Sequence, residues 1–218
     1  MGEVKRRYRS AVREEAAQRT RRAVVAAAAA MFAERGYTAS SLREVADAAG
    51  VARPTVAAAF GSKPALLRQV VDEALAGDDE PVPVADRPWF APVWEAGDPA
   101  GVLDAYAGVC TVIGRRAARI FEVVHQAAAD SAELAELWAG LLHNRRLGAR
   151  MVVRRARETG PLRDDLTDDH AIDALWVLND PALYGALVHE RGWPEDQHRR
   201  WLARQMQAAL LPGDQLRL

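Results

Sequence analysis

Arg53, Pro54 and Thr55 open a segment, "RPTVAAAF", whose groups for directional contacts stand at one end while alanines fill the rest. A guanidinium can pair bidentately with a guanine edge, and alanine or threonine methyls can touch thymine methyls. The chemistry on offer is readout of a double-stranded nucleic acid, with few polar base contacts and much of the affinity drawn from phosphate. Charge agrees: residues 1–63 hold 12 Lys and Arg against 6 Asp and Glu, while the whole chain is at −1. A basic head on an acidic body implies an anionic partner for the head alone. The run "KRRYR", Lys5 to Arg9, is a further candidate for tracking a phosphate backbone.

Other chemistry finds little to work with. Cys110 is the single cysteine, which excludes an intramolecular disulfide and a Cys-rich metal site. Neither His125 nor His143 has a carboxylate or second histidine four residues on, and no metal or cofactor is expected. A nucleophile elbow and a phosphate-binding loop are both missing, so no enzyme is expected. The opening "MGEVKRRYRS" lacks the apolar segment of a signal peptide. The longest apolar run, Ala23 to Ala33, is too short to span a bilayer, so a cytoplasmic protein without a membrane partner is expected.

The elements that must position these residues are helical. Alanine dominates and strand-like alternation is absent, which predicts an all-α fold. Val24, Ala28, Met31 and Phe32 fall on one face of a helix over 10–35, ended by "RGY". "SLRE" is a capping box for a second helix reaching about Ala49, with Ser41 and Glu44 as its reciprocal partners. Gly50 makes the turn, Pro54 starts a short third helix, and a fourth begins near Lys63. Gly77 to Pro99 holds five prolines and reads as a long irregular connection. Helical stretches follow from Asp98, from Ser131 to about Arg157, over 168–190 with a break at Pro181, and over 194–211.

The stretch from Arg21 to Leu67, "RRAVVAAAAAMFAERGYTASSLREVADAAGVARPTVAAAFGSKPALL", resembles the N-terminal domain of the TetR family of transcriptional regulators. The resemblance covers about a quarter of the chain. It implies a three-helix head with a helix-turn-helix over 1–62, joined to a larger helical domain over 63–218 for ligand binding and dimerisation. One departure matters. Many members carry Thr-Leu-Tyr-Tyr-His-Phe in the recognition helix, and this chain has Thr55-Val56-Ala57-Ala58-Ala59-Phe60, with Ala52 where a Ser or Thr is usual. The tyrosines that would touch phosphate or bases are gone, so DNA contact is expected from Ser41, Arg43, Arg53, Pro54, Thr55, Ala57 and Lys63.

The resemblance also implies a homodimer on double-stranded operator DNA, most simply as a repressor, released by a small-molecule effector. The effector is expected to be largely apolar, held among Trp89, Phe90, Trp94, Tyr106, Phe121, His125, Trp138 and Asn179. Wide apolar surfaces on the last two helices predict a dimer contact through Trp176, Leu183, Leu187, Trp201, Leu202 and Met206. The alternatives are a helix-turn-helix protein that coats DNA without a sensor, and a helical enzyme or cofactor protein.

Overall fold

A computed structural model of the chain describes the backbone of residues 2–213 and the side chains of residues 14–213. The side chains of the basic run Lys5–Arg9 lie outside the described residues. The helices are α1 (Gly2–Arg35), α2 (Leu42–Ala48), α3 (Arg53–Phe60), α4 (Lys63–Ala76), α5 (Ala91–Glu95), α6 (Pro99–Ala127), α7 (Ala132–Thr159), α8 (Asp168–Leu178), α9 (Pro181–Tyr184) and α10 (Glu195–Leu210). No strand occurs among the described residues.

Local chemistry explains most boundaries. Ser41 accepts from the Glu44 amide while Glu44 accepts from the Ser41 amide, closing the capping box that starts α2. Ser62, Asp98, Ser131 and Thr167 cap α4, α6, α7 and α8 by accepting from the amides of Ala65, Gly101, Leu134 and His170. Gly50 holds φ +67° between α2 and α3, the left-handed conformation that an L side chain resists. The connection after Gly77 is less irregular than its prolines predict: Val84–Asp86 forms a 3₁₀ turn and α5 a short helix. At the other extreme, α6 runs unbroken from Pro99 to Ala127. Residues 168–190 do break, with α8 ending at Leu178, α9 starting at Pro181 and a π-helical segment over Gly185–Glu190.

Two apolar cores organise the helices. The first joins Val24, Phe32, Val45, Val56, Phe60, Leu66 and Leu67 of the first four helices to Ala117, Phe121, Val124, Leu134 and Leu137 of α6 and α7. Head and body therefore share one core. The second packs Phe90, Leu103, Tyr106, Val152, Leu175, Leu202, Met206 and Leu210 between α5, α6, α7, α8 and α10.

A buried polar site lies where α6 meets the C-terminal helices. Gly114 of α6 lets Tyr184 press onto the helix; a Cβ there would stand 2.6 Å from the tyrosine. The Tyr184 hydroxyl donates to Glu195, which Arg115 also grips. Arg115 first, then Tyr184, holds the Glu195 carboxyl down to about 2, and burial pushes the Tyr184 phenol up to about 12. His198 is 1% exposed, with Nδ1 3.3 Å from Thr111 Oγ1. That hydroxyl donates to the Ala107 carbonyl at 2.9 Å, so it accepts from Nδ1–H and leaves Nε2 as a bare acceptor, buried without a partner. Burial lowers the His198 pKa below 6.5, partly opposed by Glu195.

The unfolded chain thus binds a proton at this histidine at higher pH than the folded one. Stability falls as pH drops below 6.5, the unfolded value. Urea midpoints should fall between about pH 8 and about pH 5.5, and His198→Leu should flatten that slope.

Candidate nucleic-acid interface

The recognition helix enters the protein through two side chains, Val56 and Phe60, both buried. Everything else on it is exposed: Arg53, Pro54, Thr55, Ala57, Ala58 and Ala59. Arg53 has no ion-pair or hydrogen-bond partner among the described residues. The alanine at 52 leaves α3 without a side-chain cap, a loss of about 1 kcal/mol against a serine or threonine. What remains is a narrow helix whose backbone can approach a groove closely, with polar capacity at its N-terminal end.

The phosphate candidates sit around it. Arg43 is exposed in the first turn of α2. Ser41 is exposed too, but its hydroxyl is already engaged, 2.7 Å from Glu44 Oε2. The hydrogen bonds from Ser41 hold the Glu44 carboxyl below the usual range, so α2 begins with a fixed anion. At this helix start Arg43 is the free cation, and Ser41 must exchange partners to reach a phosphate. Lys63, at the start of α4, places Nζ 4.0 Å over the Tyr37 ring. Burial lowers its pKa, opposed by Asp130 and Glu44.

Two residues of this region escaped sequence reasoning. Tyr37 was read only as part of a helix terminator, yet its ring is the platform for Lys63. Arg21 carries no expectation from the sequence, yet Nη1 donates to the Ala59 carbonyl at 2.9 Å and its guanidinium lies 4.4 Å over the Phe60 ring. Spacing carries no signal for either, because both contacts cross between helices.

Residues 24–70, which contain this surface from Tyr37 to Lys63, match the family described as "Bacterial regulatory proteins, tetR family". The match runs from α1 through α2 and α3 into α4. No curated protein matches it in sequence. Three solved structures share the fold over most of their length. The SmeT–triclosan complex is 20% identical, with 91% of this chain and 94% of that one covered at a TM-score of 0.69. A structure described as a transcriptional regulator from Saccharomonospora viridis, in complex with choline, is 19% identical, with 88% and 97% covered at 0.68. The fatty acid degradation regulator FadR from Bacillus halodurans is 18% identical, with 90% and 97% covered at 0.67.

The eight residues expected to gather around an effector do not form one site. Trp89, Phe90, Trp94 and Tyr106 cluster in the second core, with Phe90 stacked on Trp94 at 5.1 Å and 6.4 Å from Tyr106. Asn179 joins them, donating to the Tyr106 hydroxyl at 2.9 Å. Phe121, His125 and Trp138 belong instead to the core shared with the head, where His125 lies exposed against Trp138. The reason is the length of α6, which carries Tyr106 and Phe121 four turns apart. A cleft of about 410 Å³ opens elsewhere, between α1, α6 and the π-helical segment, and none of the eight lines it. Arg145 was also missed: it donates to Asn179 Oδ1 and to the Trp176 carbonyl, bracing the break after α8. Cys110 lies in the same region, and burial pushes its thiol up to about 12, which makes it a poor nucleophile.

The expected dimer contacts need a correction as well. Leu202 and Met206 are 1% and 0% exposed within one subunit and belong to its core. They face α6 because α10 turns its apolar stripe inward. Trp176, Leu183, Leu187 and Trp201 are half-buried and remain available to a partner. Val177, at 58% exposed, was overlooked.

Spacing around His125 and His143 does not by itself exclude a metal. Glu122–His125 and Glu195–His198 both have the Glu-x-x-His pattern of di-iron bundles. They lie on α6 and α10, and Glu195 is taken by Arg115 and Tyr184. Among the described residues no three His, Cys, Asp or Glu side chains come together where they could hold a metal. No helix there is long and apolar enough to cross a membrane.

The position of Lys63 generates a test. Lys63→Ala should weaken binding to all DNA sequences about equally and reduce the slope of log affinity against log salt by about one unit. Anisotropy titrations at several salt concentrations measure both.

Proposed function

We propose that this protein is a tetR-family repressor that binds a palindromic operator as a homodimer and is released by a small, largely apolar molecule. Residues 1–62 act as the DNA-binding domain, and residues 63–218 bind the effector and dimerise. The observation that carries the reading is the exposed N-terminal end of α3, with the Arg53 side chain unpaired among the described residues. The N-terminal residues of a recognition helix meet base edges, and Arg53 suits a guanine. The face of Ala57 and Ala58 offers only methyl groups, so it suits thymines.

The effector region is the group of Trp89, Phe90, Trp94, Tyr106 and Asn179: apolar walls with a few polar atoms, the usual form of such sites. The triclosan and choline complexes among the similar folds are consistent with a body that accepts small organic molecules. Release requires that the effector prefer a conformation whose two recognition helices are not about 34–36 Å apart, the spacing of successive major grooves. The dimer surface is built from α8, the segment after it and α10.

Two measurements test the reading. An operator is selected from a random DNA library with the wild-type chain. Arg53→Ala should then lose about 1–3 kcal/mol and relax one position of each half-site. Replacing the half-site thymines facing α3 by uracil, which lacks the methyl, should weaken wild-type binding. Unchanged affinity in both experiments would overturn the assignment of α3.

For the dimer, Val177→Asp or Leu187→Asp should give a folded monomer in ultracentrifugation. Met206→Asp should instead unfold the subunit, because it buries a charge in a packed core.

A further inference from the structure

Polar contacts lead from the aromatic cluster of the body to α1, and from the same face of α1 to the recognition helix, apart from the apolar core that head and body share. They begin at Trp94, whose indole N–H donates to the Ala85 carbonyl at 2.8 Å. Arg87 is 5% exposed and gathers the segment before it. Its guanidinium donates to the Glu80 carbonyl at 2.8 Å, to the Val82 carbonyl at 3.1 Å, and to both oxygens of Asp78 at 2.8 and 2.6 Å. So clamped, the segment turns Asp79 onto α1, where one carboxylate oxygen accepts from Gln18 at 3.1 Å and from Arg22 at 2.9 Å.

Gln18, Arg21 and Arg22 share one face of α1 by their spacing. Arg21 continues the path. It donates to the Ala59 carbonyl in the last turn of α3 at 2.9 Å and to Gln69 of α4 at 2.8 Å. A helix held in the protein by Val56 and Phe60 alone, with no cap at its start, depends on this grip for its pitch.

We propose that residues 78–94 form a strap that follows the packing of the aromatic cluster and, through Asp79 and the Gln18–Arg22 face of α1, sets the pose of the recognition helix. This rests on the reading of that cluster as the effector region and of α3 as the DNA-reading helix. Three of the cluster's aromatics, Trp89, Phe90 and Trp94, stand on the strap itself. Phe90 stacks on Trp94 and meets Trp89 at a tilt, so a molecule entering among them must displace the strap. Displacement draws Asp79 away from α1. An ion pair of this kind, with Arg22 largely exposed, is weak enough to be exchanged. The strap is thus a two-position element that an effector and a DNA site can both bias.

Hydrogen exchange on the full-length chain tests the relay without DNA. Asp79→Ala should speed exchange at the amides of residues 55–60 by about threefold and leave α7 unchanged. Trp94→Phe keeps a ring and loses the N–H. It should speed the same amides in the wild-type background and add nothing in the Asp79→Ala background, whereas independent local packing effects would add. The reversed pair R22D/D79R should restore slow exchange. Unchanged exchange over 55–60 in Asp79→Ala, additive effects of the two variants, or no restoration by the reversed pair overturns the relay. Failure of the wild-type chain to select any DNA would overturn the DNA reading instead and leave the exchange results standing, so the two failures are distinguishable.

Discussion

The seating of α3 by Val56 and Phe60 is the constraint on which the rest depends. The helix is eight residues long, its first residues lack a cap and its outer face is nearly all alanine. A helix this short has no stability of its own in water. Its position is therefore a property of the core beneath it. That core also takes in α6 and α7, so any rearrangement of the body is felt under the recognition helix without a hinge between separate domains.

The stripped outer face then follows a physical logic. Removing tyrosines from a recognition helix removes both polar contacts and bulk, and the backbone can sit deeper in a groove. Affinity must come from elsewhere, and the cations placed to supply it are few: Arg43, Arg53 and Lys63 in the described head. One of them is partly desolvated over Tyr37. On the proposed reading, base readout is concentrated at a single arginine, which ties specificity closely to the exact pose of α3. A scheme with so few contacts tolerates little misplacement, and this is why the grip of Arg21 on the Ala59 carbonyl matters.

The body is organised around polar groups as much as apolar ones. Arg87, Arg145 and His198 are buried or nearly so, and each organises a place where the helical pattern fails: the proline-rich segment, the break after α8 and the contact of α6 with α10. Buried charges that donate to several carbonyls fix loop geometry where periodic hydrogen bonding cannot. The aromatic cluster lies between the first two of these places. Its packing is thus bounded by hydrogen-bonded loops.

Much of this was legible from the sequence. Helical periodicity, the Ser41–Glu44 capping box, Gly50 and Pro54 determined the head and its surface, because caps, turns and periodicity act over a few residues. The same local rules located most helix boundaries in the body. They failed where contacts join residues far apart. Leu202 and Met206 read as a surface stripe because a stripe on a helix does not say which partner covers it, and α6 of the same subunit does. Phe121, His125 and Trp138 read as companions of Tyr106 because nothing local reveals that one unbroken helix carries Tyr106 and Phe121 into different cores. Arg21 on Ala59 and Asp79 on Arg22 span 38 and 57 residues of sequence. Only the packed tertiary structure decides such pairs, since each depends on the mutual placement of helices that share no local pattern.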